Sequence, residues 1–328
     1  MKLATIQSKD TKQRNGQLIV VSSDNRLAVL PSPKLPQTLL GALQSWSEVA
    51  PELQALSHAL NAGKAVGAFA FEPAACLAPL PNAPGFYDGS AFLSHVVRAR
   101  RSRGDQMPES ARKIPLMYQG VSDNLLGACT PLDIVKESFG GDFEGEFAVI
   151  TTDVPRGTPA ERLPPYFALF TLFNDITLRV LVKDEIETKF GFLQGKPNSS
   201  FAPLVVTADE LGDAWDGKRI HANLVVKLNG TVFGNPNGRE MNFSFGELVA
   251  HACRTRPLAA GSIVGTGTVS NEDKNQGFAC LVEKRFQEIL DTGSATTPWL
   301  KPGDRVWMDV EVNGVSVFGS IDQRVVVA

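Results

Sequence analysis

Cysteine is scarce in this sequence of 328 residues, which contains only four. The four lie far apart and none belongs to a Cys-x-x-Cys pair, so the sequence indicates neither a disulfide framework nor a zinc ribbon. We expect all of them to be small buried hydrophobic side chains. They are Cys76, Cys129, Cys253 and Cys280.

An excess of charge of one sign and long apolar runs are also lacking. The chain has 32 Lys and Arg against 35 Asp and Glu, which gives no overall charge that would direct it to nucleic acid or to an anionic membrane. No apolar run reaches the roughly 18 residues of a membrane span, and the apolar start is too short for a signal sequence. We expect a cytoplasmic protein that binds a small molecule or another protein.

The first eighty residues are predicted to form a small α+β domain. Two short strand-like runs, 18–21 and 27–30, precede apolar residues at helical spacing over 39–61. We expect Pro51 to divide this helix and Gly63 to end it. A proline-rich stretch follows and marks a boundary, which predicts domains at 1–80 and 81–328.

The rest of the chain is predicted to be mainly β with some α, in mixed sheets of the α+β class. Short β-type runs are separated by turn residues, without the alternation of strands and helices that parallel sheets require. A capping box from Ser244 to Glu247 predicts one helix. Two Asn-Gly pairs predict tight antiparallel hairpins, at Asn229-Gly230 and at Asn313-Gly314.

One acidic stretch could hold a cation. Asp142, Glu144 and Glu146 occupy alternate positions before an apolar run, so an extended backbone would place all three carboxylates on one face. Ionised carboxylates near a core require a basic partner, protonation or a hard divalent metal. The same pattern alone is also typical of a solvated strand face.

Among the four histidines, His95 has the neighbours expected of a general base. Asp88 precedes it by seven residues, and a cluster of arginines that could hold an anionic substrate follows it. The other three histidines have patterns typical of surface or structural positions. The arginines are Arg98, Arg100, Arg101 and Arg103.

Two further segments contain charged residues of interest. Asp175 and Arg179 lie in an otherwise apolar run, where burial would demand charged partners. Lys196 follows a glycine in a loop rich in hydroxyl groups, which by itself is typical of an ordinary loop lysine.

Six short motifs occur in an order that resembles the fumarylacetoacetate hydrolase superfamily, from about residue 85 to the end of the sequence. None is specific alone, and it is their combination that carries the resemblance. The motifs are Asp88-Gly-Ser-Ala with His95, Pro115 to Gly120, Asp142-Phe-Glu-Gly-Glu146, Asn174 to Arg179, Gln194-Gly-Lys196 and Gly267-Thr-Val-Ser-Asn271.

The resemblance implies a mixed β-sandwich roll, a homodimer and a metal ion, Mg²⁺ or Ca²⁺, with Mn²⁺ as a third candidate. It implies that the metal is held by Asp88, Glu144, Glu146 and Asp175. It further implies that His95 activates water, that Glu283 orients His95, and that Lys196 lies beside the metal. The substrate would be contacted by Arg103, Tyr118, Arg179 and Thr268. Asp142 has no counterpart in the metal site and is expected to be a flanking residue.

The implied activity is hydrolysis of a carbon–carbon bond in a 1,3-dicarbonyl acid such as fumarylacetoacetate or an acylpyruvate. Val182 and Ser90 replace a glutamine and a tyrosine of the family's substrate pocket. The resemblance therefore does not determine which substrate is bound. Decarboxylation or hydration of a 2-oxo acid is the alternative, and a non-catalytic homologue is a third. For residues 277–293, periodicity predicts a helix, whereas the resemblance implies a strand in at least the first half.

Overall fold

The computed structural model describes residues 1–9 and 13–328, and within them it contains nineteen strands and seven α-helices. The strands are β1 Lys2–Ile6, β2 Gln17–Val21, β3 Leu27–Val29, β4 Phe69–Ala70, β5 Phe86–Gly89, β6 Met117–Gln119, β7 Leu132–Asp133, β8 Gly141–Asp142, β9 Gly145–Thr151, β10 Phe167–Asn174, β11 Thr177–Leu178, β12 Ser200–Phe201, β13 Leu204–Val206, β14 Leu224–Leu228, β15 Thr231–Gly234, β16 Ile263–Gly265, β17 Arg305–Val312, β18 Val315–Ser316 and β19 Ile321–Val326. The helices are α1 Leu39–Gln44, α2 Trp46–Asn61, α3 Leu93–Arg101, α4 Arg179–Thr188, α5 Ala208–Leu211, α6 Phe245–Ala252 and α7 Leu281–Thr292.

Two large sheets dominate the molecule. The first has eleven strands in the order β4-β3-β2-β1-β13-β10-β9-β16-β5-β6, with β12 paired to β10. The second has six strands in the order β15-β14-β17-β19-β7, with β18 paired to β17. In the first sheet β16 and β5 are parallel while β9 and β10 are antiparallel, so the predicted α+β class with mixed sheets is confirmed.

The N-terminal strands continue the large sheet of the body. Strand β1 pairs with β13, with Leu3 opposite Val205. One hydrophobic cluster contains side chains from both parts of the chain, including Leu3 and Leu18 together with Phe86 and Phe173. The division at residue 80 stays a prediction, and the structure joins the two parts through a shared sheet and core.

The helix predicted over 39–61 is interrupted at Ser45, because α1 ends before this residue and α2 begins after it. The expectation that Pro51 divides the helix is therefore wrong. Little more than one turn of α2 precedes Pro51, so the proline removes a hydrogen bond only near the helix start. As expected, α2 ends just before Gly63.

Within residues 1–9 and 13–328, no helix combines the length and apolar character needed to cross a membrane.

Both Asn-Gly hairpins and the capping box are confirmed. Positive φ angles at both turn residues, 52° and 81° at Asn229 and Gly230, give the twist that a two-residue hairpin needs. In the capping box, Ser244 Oγ accepts a hydrogen bond from the Glu247 amide, and Glu247 accepts one from the Ser244 amide.

Over 277–293, the helix predicted from periodicity is correct, because α7 starts at Leu281. The strand implied by the resemblance is wrong, since residues 277–280 form only isolated bridges, from Gly277 to Gly234 and from Cys280 to Glu144. Three of the four cysteines are buried as expected, but Cys129 is exposed because it lies at the tip of a turn.

Candidate active site

Three buried carboxylates meet at one end of the eleven-stranded sheet. Glu146 lies at the start of β9, Asp175 directly follows the neighbouring β10, and Asp88 is on β5. One carboxylate oxygen from each lies within 4.8 Å of the others. None of the three residues is more than 4% exposed, so the sequence-predicted residues Asp88, Glu146 and Asp175 form one carboxylate cluster.

Gly265 allows Asp88 to reach the other two carboxylates. Strand β16 lies between β9 and β5, and Gly265 stands opposite both Ala148 and Asp88. A Cβ atom on Gly265 would lie only 2.4 Å from Asp88 Oδ1. The missing side chain therefore makes the space that the Asp88 carboxylate occupies, a role that the sequence alone did not reveal.

The carboxylate cluster has more negative charge than its protein neighbours neutralise. Burial and the nearby Asp175 raise the pKa of Asp88 to about 7. Burial and the same aspartates raise the pKa of Glu146 well above its usual value. Among the described residues, neither oxygen of Glu146 receives a hydrogen bond. An all-oxygen site with free acceptor atoms suits a hard divalent cation such as Mg²⁺, Ca²⁺ or Mn²⁺.

Asp175 is held by three donors. Its Oδ1 accepts a hydrogen bond from Ser199 Oγ at 2.6 Å, and its Oδ2 accepts from Tyr118 Oη at 2.8 Å and from Lys196 Nζ. Burial and the neighbouring Asp175 raise the pKa of Tyr118 well above its usual value, so the phenol keeps its proton and donates it. Tyr118 thus contacts the carboxylate cluster in this structure, and Ser199 is a contact that sequence reasoning missed.

Glu144 lies beside the carboxylate cluster but is bound by cationic and hydroxyl groups instead. Its Oε1 accepts from Arg179 Nη2 at 2.5 Å and from Thr268 Oγ1 at 2.9 Å. Its Oε2 accepts from Lys196 Nζ at 2.6 Å and from Thr177 Oγ1 at 3.1 Å. Burial would raise the pKa of Glu144, but Arg179 and Lys196 outweigh it and hold that pKa far below its usual range.

Lys196 is a buried cation between Glu144 and Asp175, and it is not an ordinary loop lysine. Burial alone would lower its pKa, but the two carboxylates raise it above the usual value, so the ammonium group stays charged. Its Nζ also lies 5.3 Å from the centre of the Tyr118 ring. The lysine therefore places one positive charge against the negative carboxylate cluster.

His95 and Glu283 contact each other where helices α3 and α7 pack together. The distance from His95 Nδ1 to Glu283 Oε2 is 3.2 Å. Glu283 Oε1 accepts hydrogen bonds from Arg98 Nη1 at 2.7 Å and from Ser270 Oγ at 2.6 Å. The thiol of Cys280 lies within 4.8 Å of a ring nitrogen of His95 and of a carboxylate oxygen of Glu283. Cys280 also forms a β-bridge with Glu144, so the His95–Glu283 pair lies next to the carboxylate cluster.

Arg98 does not have the role expected of the four arginines after His95, which was to hold an anionic substrate. It is buried, and besides Glu283 it donates to the side chain of Gln287 and to the carbonyl of Glu272. Such a guanidinium holds Glu283 in position and is not free to bind a substrate anion. The spacing of three residues from His95 along a helix is the sequence signal that could have placed both on one face.

Asp142 lies outside the carboxylate cluster and caps helix α7. Its Oδ1 accepts from the Leu281 amide at 2.7 Å, and its Oδ2 accepts from the Val282 amide at 3.0 Å. Arg179 Nε donates to Oδ2 at 2.8 Å while its Nη2 binds Glu144. Asp142 and Arg179 therefore connect the start of α7, whose third residue is Glu283, with Glu144 beside the carboxylate cluster.

The four residues expected to contact a substrate do not share one environment. Tyr118, Arg179 and Thr268 all donate to carboxylates of the site. Arg103 is not brought to the site, because it follows α3 on the surface, where its side chain is 56% exposed and lies 3.8 Å from Asp105. A binding role for Arg103 stays a prediction without support from this geometry.

Comparison with known proteins gives matches over almost the whole chain. The family model "Fumarylacetoacetate (FAA) hydrolase C-terminal" matches residues 86–326, and "Fumarylacetoacetase N-terminal domain 2" matches residues 1–82. A curated protein of Archaeoglobus fulgidus is 26% identical over 155 residues, which cover 47% of this chain. The matched region spans only 58% of that relative.

Two solved structures share the fold. Fumarylacetoacetate hydrolase from Exiguobacterium antarcticum has a TM-score of 0.68 at 18% identity, with 99% of both chains covered. Maleylpyruvate hydrolase from Sphingobium sp. SYK-6, in complex with manganese(II) and pyruvate, has a TM-score of 0.65 at 16% identity, again with 99% of both chains covered. Because the family model spans most of the chain, the protein belongs to the fumarylacetoacetate hydrolase family.

Proposed function

We propose that the protein is a metal-dependent hydrolase that cleaves a carbon–carbon bond in a 1,3-dicarbonyl acid, such as fumarylacetoacetate or an acylpyruvate. The observation that carries the proposal is the contact of His95 with Glu283, close to three buried carboxylates to which Cys280, Glu144 and Lys196 connect it. The Mn²⁺ and pyruvate bound by the Sphingobium maleylpyruvate hydrolase support a metal and an oxo acid at this kind of site.

Asp88, Glu146 and Asp175 would hold the metal ion, with Glu144 beside them. Mg²⁺, Ca²⁺ and Mn²⁺ suit these oxygen ligands. When bound, such an ion polarises a carbonyl group and stabilises negative charge that develops on its oxygen.

His95 acts as the general base. Glu283 accepts the Nδ1 proton of His95, which leaves Nε2 free to take a proton from water. The resulting hydroxide oxygen bonds to the acyl carbonyl carbon, and the bond from this carbon to the adjacent methylene breaks. The electron pair stays on the methylene side, which takes up the proton from His95. An acylpyruvate would thus give a carboxylic acid and pyruvate.

The cationic and phenolic groups bind the substrate and its developing charge. Lys196 stabilises the enolate that leaves, because it is a preorganised positive charge in a buried site. Of the three residues expected to bind the substrate carboxylate, Tyr118 and Arg179 lie in the site, whereas Arg103 is on the surface. Arg179 is the best placed of the three, since its side chain is 15% exposed and its contact with Glu144 belongs to the site.

A metal-dependent activity screen of the purified protein tests this proposal. Acylpyruvates, fumarylacetoacetate and oxaloacetate are each incubated with Mg²⁺, Ca²⁺ or Mn²⁺ and with a chelator. We expect metal-dependent hydrolysis of a diketo acid to two acids. Release of CO₂ from oxaloacetate alone would favour the decarboxylase, and loss of every activity with metal still bound would favour a non-catalytic homologue. The His95–Glu283 contact favours the hydrolase over the decarboxylase, because decarboxylation of an oxo acid does not require a base for water.

A further inference from the structure

A cysteine thiol lies against the His95–Glu283 pair. Cys280 is the residue directly before helix α7, and its Sγ, a ring nitrogen of His95 and a carboxylate oxygen of Glu283 all lie within 4.8 Å of one another. Cys280 is completely buried. Residues 1–9 and 13–328 provide hydrogen bonds for the thiols of Cys76 and Cys253 but none for that of Cys280.

The charges around this thiol favour a divalent cation. Burial, followed by Asp142 and Glu283, raises the pKa of Cys280 well above its usual value, and Arg179 opposes them only in part. These carboxylates disfavour a free thiolate, but they attract a cation that displaces the thiol proton and binds the sulfur. Glu283 Oε1 is taken by Arg98 and Ser270, whereas Oε2 faces His95.

We propose that His95, Cys280 and Glu283 form a second metal site, which takes Zn²⁺. One sulfur, one nitrogen and one oxygen donor are the ligand types of zinc sites that keep a fourth position open. The carboxylate cluster offers oxygen alone and prefers harder cations. The two sites therefore differ in the metal they select. Entry is from the side of His95, whose side chain is 17% exposed while Glu283 and Cys280 are buried.

Zinc at this site inhibits turnover. It engages the ring nitrogen and the carboxylate that the general base needs, so His95 can no longer take a proton from water. This consequence rests on the proposed function, whereas the binding of zinc does not. The two are therefore measured separately.

Binding is measured with Co²⁺ as a spectroscopic substitute for Zn²⁺ on the full chain. A thiolate ligand produces a sulfur-to-cobalt charge-transfer band, which oxygen ligands do not produce. We expect the band in the wild type, its loss in Cys280→Ser and Cys280→Ala, and its displacement by Zn²⁺. Cys253→Ser is the matched control, because Cys253 is also buried but lies beside the carbonyls of Thr158 and Ala250. Glu146→Gln should keep the band, since it alters only the carboxylate cluster.

Absence of the charge-transfer band from the wild type, or its retention in both Cys280 variants, would overturn the second site.

Inhibition is measured in a separate activity experiment. Zn²⁺ is added to enzyme saturated with Mg²⁺ or Mn²⁺, and each variant is compared with its own rate without zinc. We expect the inhibitory Zn²⁺ concentration to rise more than about tenfold in Cys280→Ser, since even groups that only support metal ligands contribute 10- to 100-fold. Equal inhibition of wild type and variant would place the zinc at the carboxylate cluster and contradict the proposal. A thiolate band without any measurable turnover would keep the site and remove only the proposed function.

Discussion

Two glutamates that are two residues apart have opposite electrostatic environments. Glu144 binds Arg179 and Lys196, which stabilise its charged form and lower its pKa. Glu146 faces Asp88 and Asp175, and burial together with these two aspartates raises its pKa. At this scale the candidate metal site is a buried excess of negative charge next to a neutralised carboxylate. A bound divalent cation would remove that excess.

This excess predicts how metal stabilisation depends on pH. The folded-state pKa of Asp88 is about 7, above its ordinary value of 3.8. In the metal-free protein the folded state therefore binds this proton more tightly than the unfolded state does. The resulting stability is complete below about pH 4 and is lost as the pH rises through 7.

A divalent cation binds the ionised form, so the increase in Tm on adding Mg²⁺ or Mn²⁺ should grow from pH 5 to pH 8. Thermal unfolding with metal and with chelator at each pH measures this increase. Asp88→Asn removes one of the two carboxyl groups with a raised pKa and is the control in which metal-free stability should depend less on pH, with Glu146 supplying the remainder. An increase in Tm that is equal at pH 5 and pH 8 would contradict the predicted charge state.

His95→Ala should abolish most turnover and leave metal binding intact. A general base contributes about 10²- to 10⁴-fold in rate. His95 does not belong to the group of Asp88, Glu146 and Asp175 that would hold the metal, so its loss should not affect metal binding. Steady-state kinetics and calorimetric titration with Mn²⁺ measure the two properties. His58→Ala is the matched control, because His58 is exposed on α2 and contacts Gln54. Wild-type turnover in His95→Ala would show that the mechanism is wrong.

Residue types and spacing drew attention to the acidic residues and to His95, and the family resemblance added Lys196 and Glu283, but the remaining partners of these groups were not predicted. Alternation along a strand placed Glu144 and Glu146 on one face, yet no sequence pattern indicated that two cations bind only the first. Arg98 and Arg103 belong to one arginine-rich segment, and burial alone separates them: the first supports Glu283 and the second is solvent-exposed. Such partners come from distant parts of the chain, so local patterns do not contain them.

At the scale of elements, the start of α7 determines where Glu283 lies. Cys280, the N-cap residue, makes no side-chain capping bond, and Asp142 from β8 accepts the amides of Leu281 and Val282 instead. A negative charge at a helix N-terminus is favourable because free amides and the helix dipole meet there. Strand β8 thereby holds the helix that presents Glu283 to His95.

Asp142→Asn should bind metal normally but turn over more slowly, by about tenfold if the loss resembles that of other groups supporting a site. An asparagine has one acceptor oxygen, and its amide group would face donors, so it cannot accept from both helix amides and Arg179. Stability should fall by about 1–3 kcal/mol. Metal titration, kcat over a range of pH and thermal unfolding measure these effects. A large loss of metal affinity would instead place Asp142 among the ligands.

Gly265→Ala should weaken metal binding through strand β16. The new Cβ atom would lie 2.4 Å from Asp88 Oδ1 and 2.7 Å from the Phe173 ring, so Asp88 must move away from the other carboxylates. We expect Mn²⁺ affinity to fall more than about tenfold in a calorimetric titration. Ile263→Val is the control on the same strand, expected to cost about 0.5–1.5 kcal/mol in stability with unchanged affinity. Wild-type affinity in Gly265→Ala would mean that Asp88 is not a ligand.

Turn and cap chemistry made some elements predictable from the sequence. The two Asn-Gly hairpins and the capping box depend on residues next to each other, and all three form as expected. Asp175 and Arg179 lie in one continuous apolar run of the sequence, but β10 ends at Asn174 and α4 begins at Arg179. That break follows from the burial of Asp175 in the carboxylate cluster, which is a tertiary requirement that periodicity does not contain.

For the whole molecule, the sequence supported the α+β class but not the continuity of its parts. The composition change near residue 80 predicted a separate N-terminal domain, whereas β1 to β4 extend the sheet that holds the candidate metal site. Strand pairing between distant segments, such as β1 with β13, depends on the whole fold and leaves no local signature. A homodimer stays a prediction, which the mass of the protein in solution tests.

Removal of residues 1–80 should therefore destroy the body of the protein. The deletion would expose the edge of β13, with its unpaired backbone groups, and the apolar side of a shared core that includes Phe86 and Phe173. Exposed sheet edges and large apolar surfaces promote aggregation. Phe173 lies opposite Glu146 on β9 and packs against Phe86 on the strand of Asp88, so the candidate metal site would lose its support as well.

Expression of residues 81–328 beside the full chain, followed by size-exclusion chromatography and Mn²⁺ titration, should give aggregated protein without metal binding. A soluble fragment that binds metal with full affinity would instead establish residues 81–328 as a domain that folds without residues 1–80.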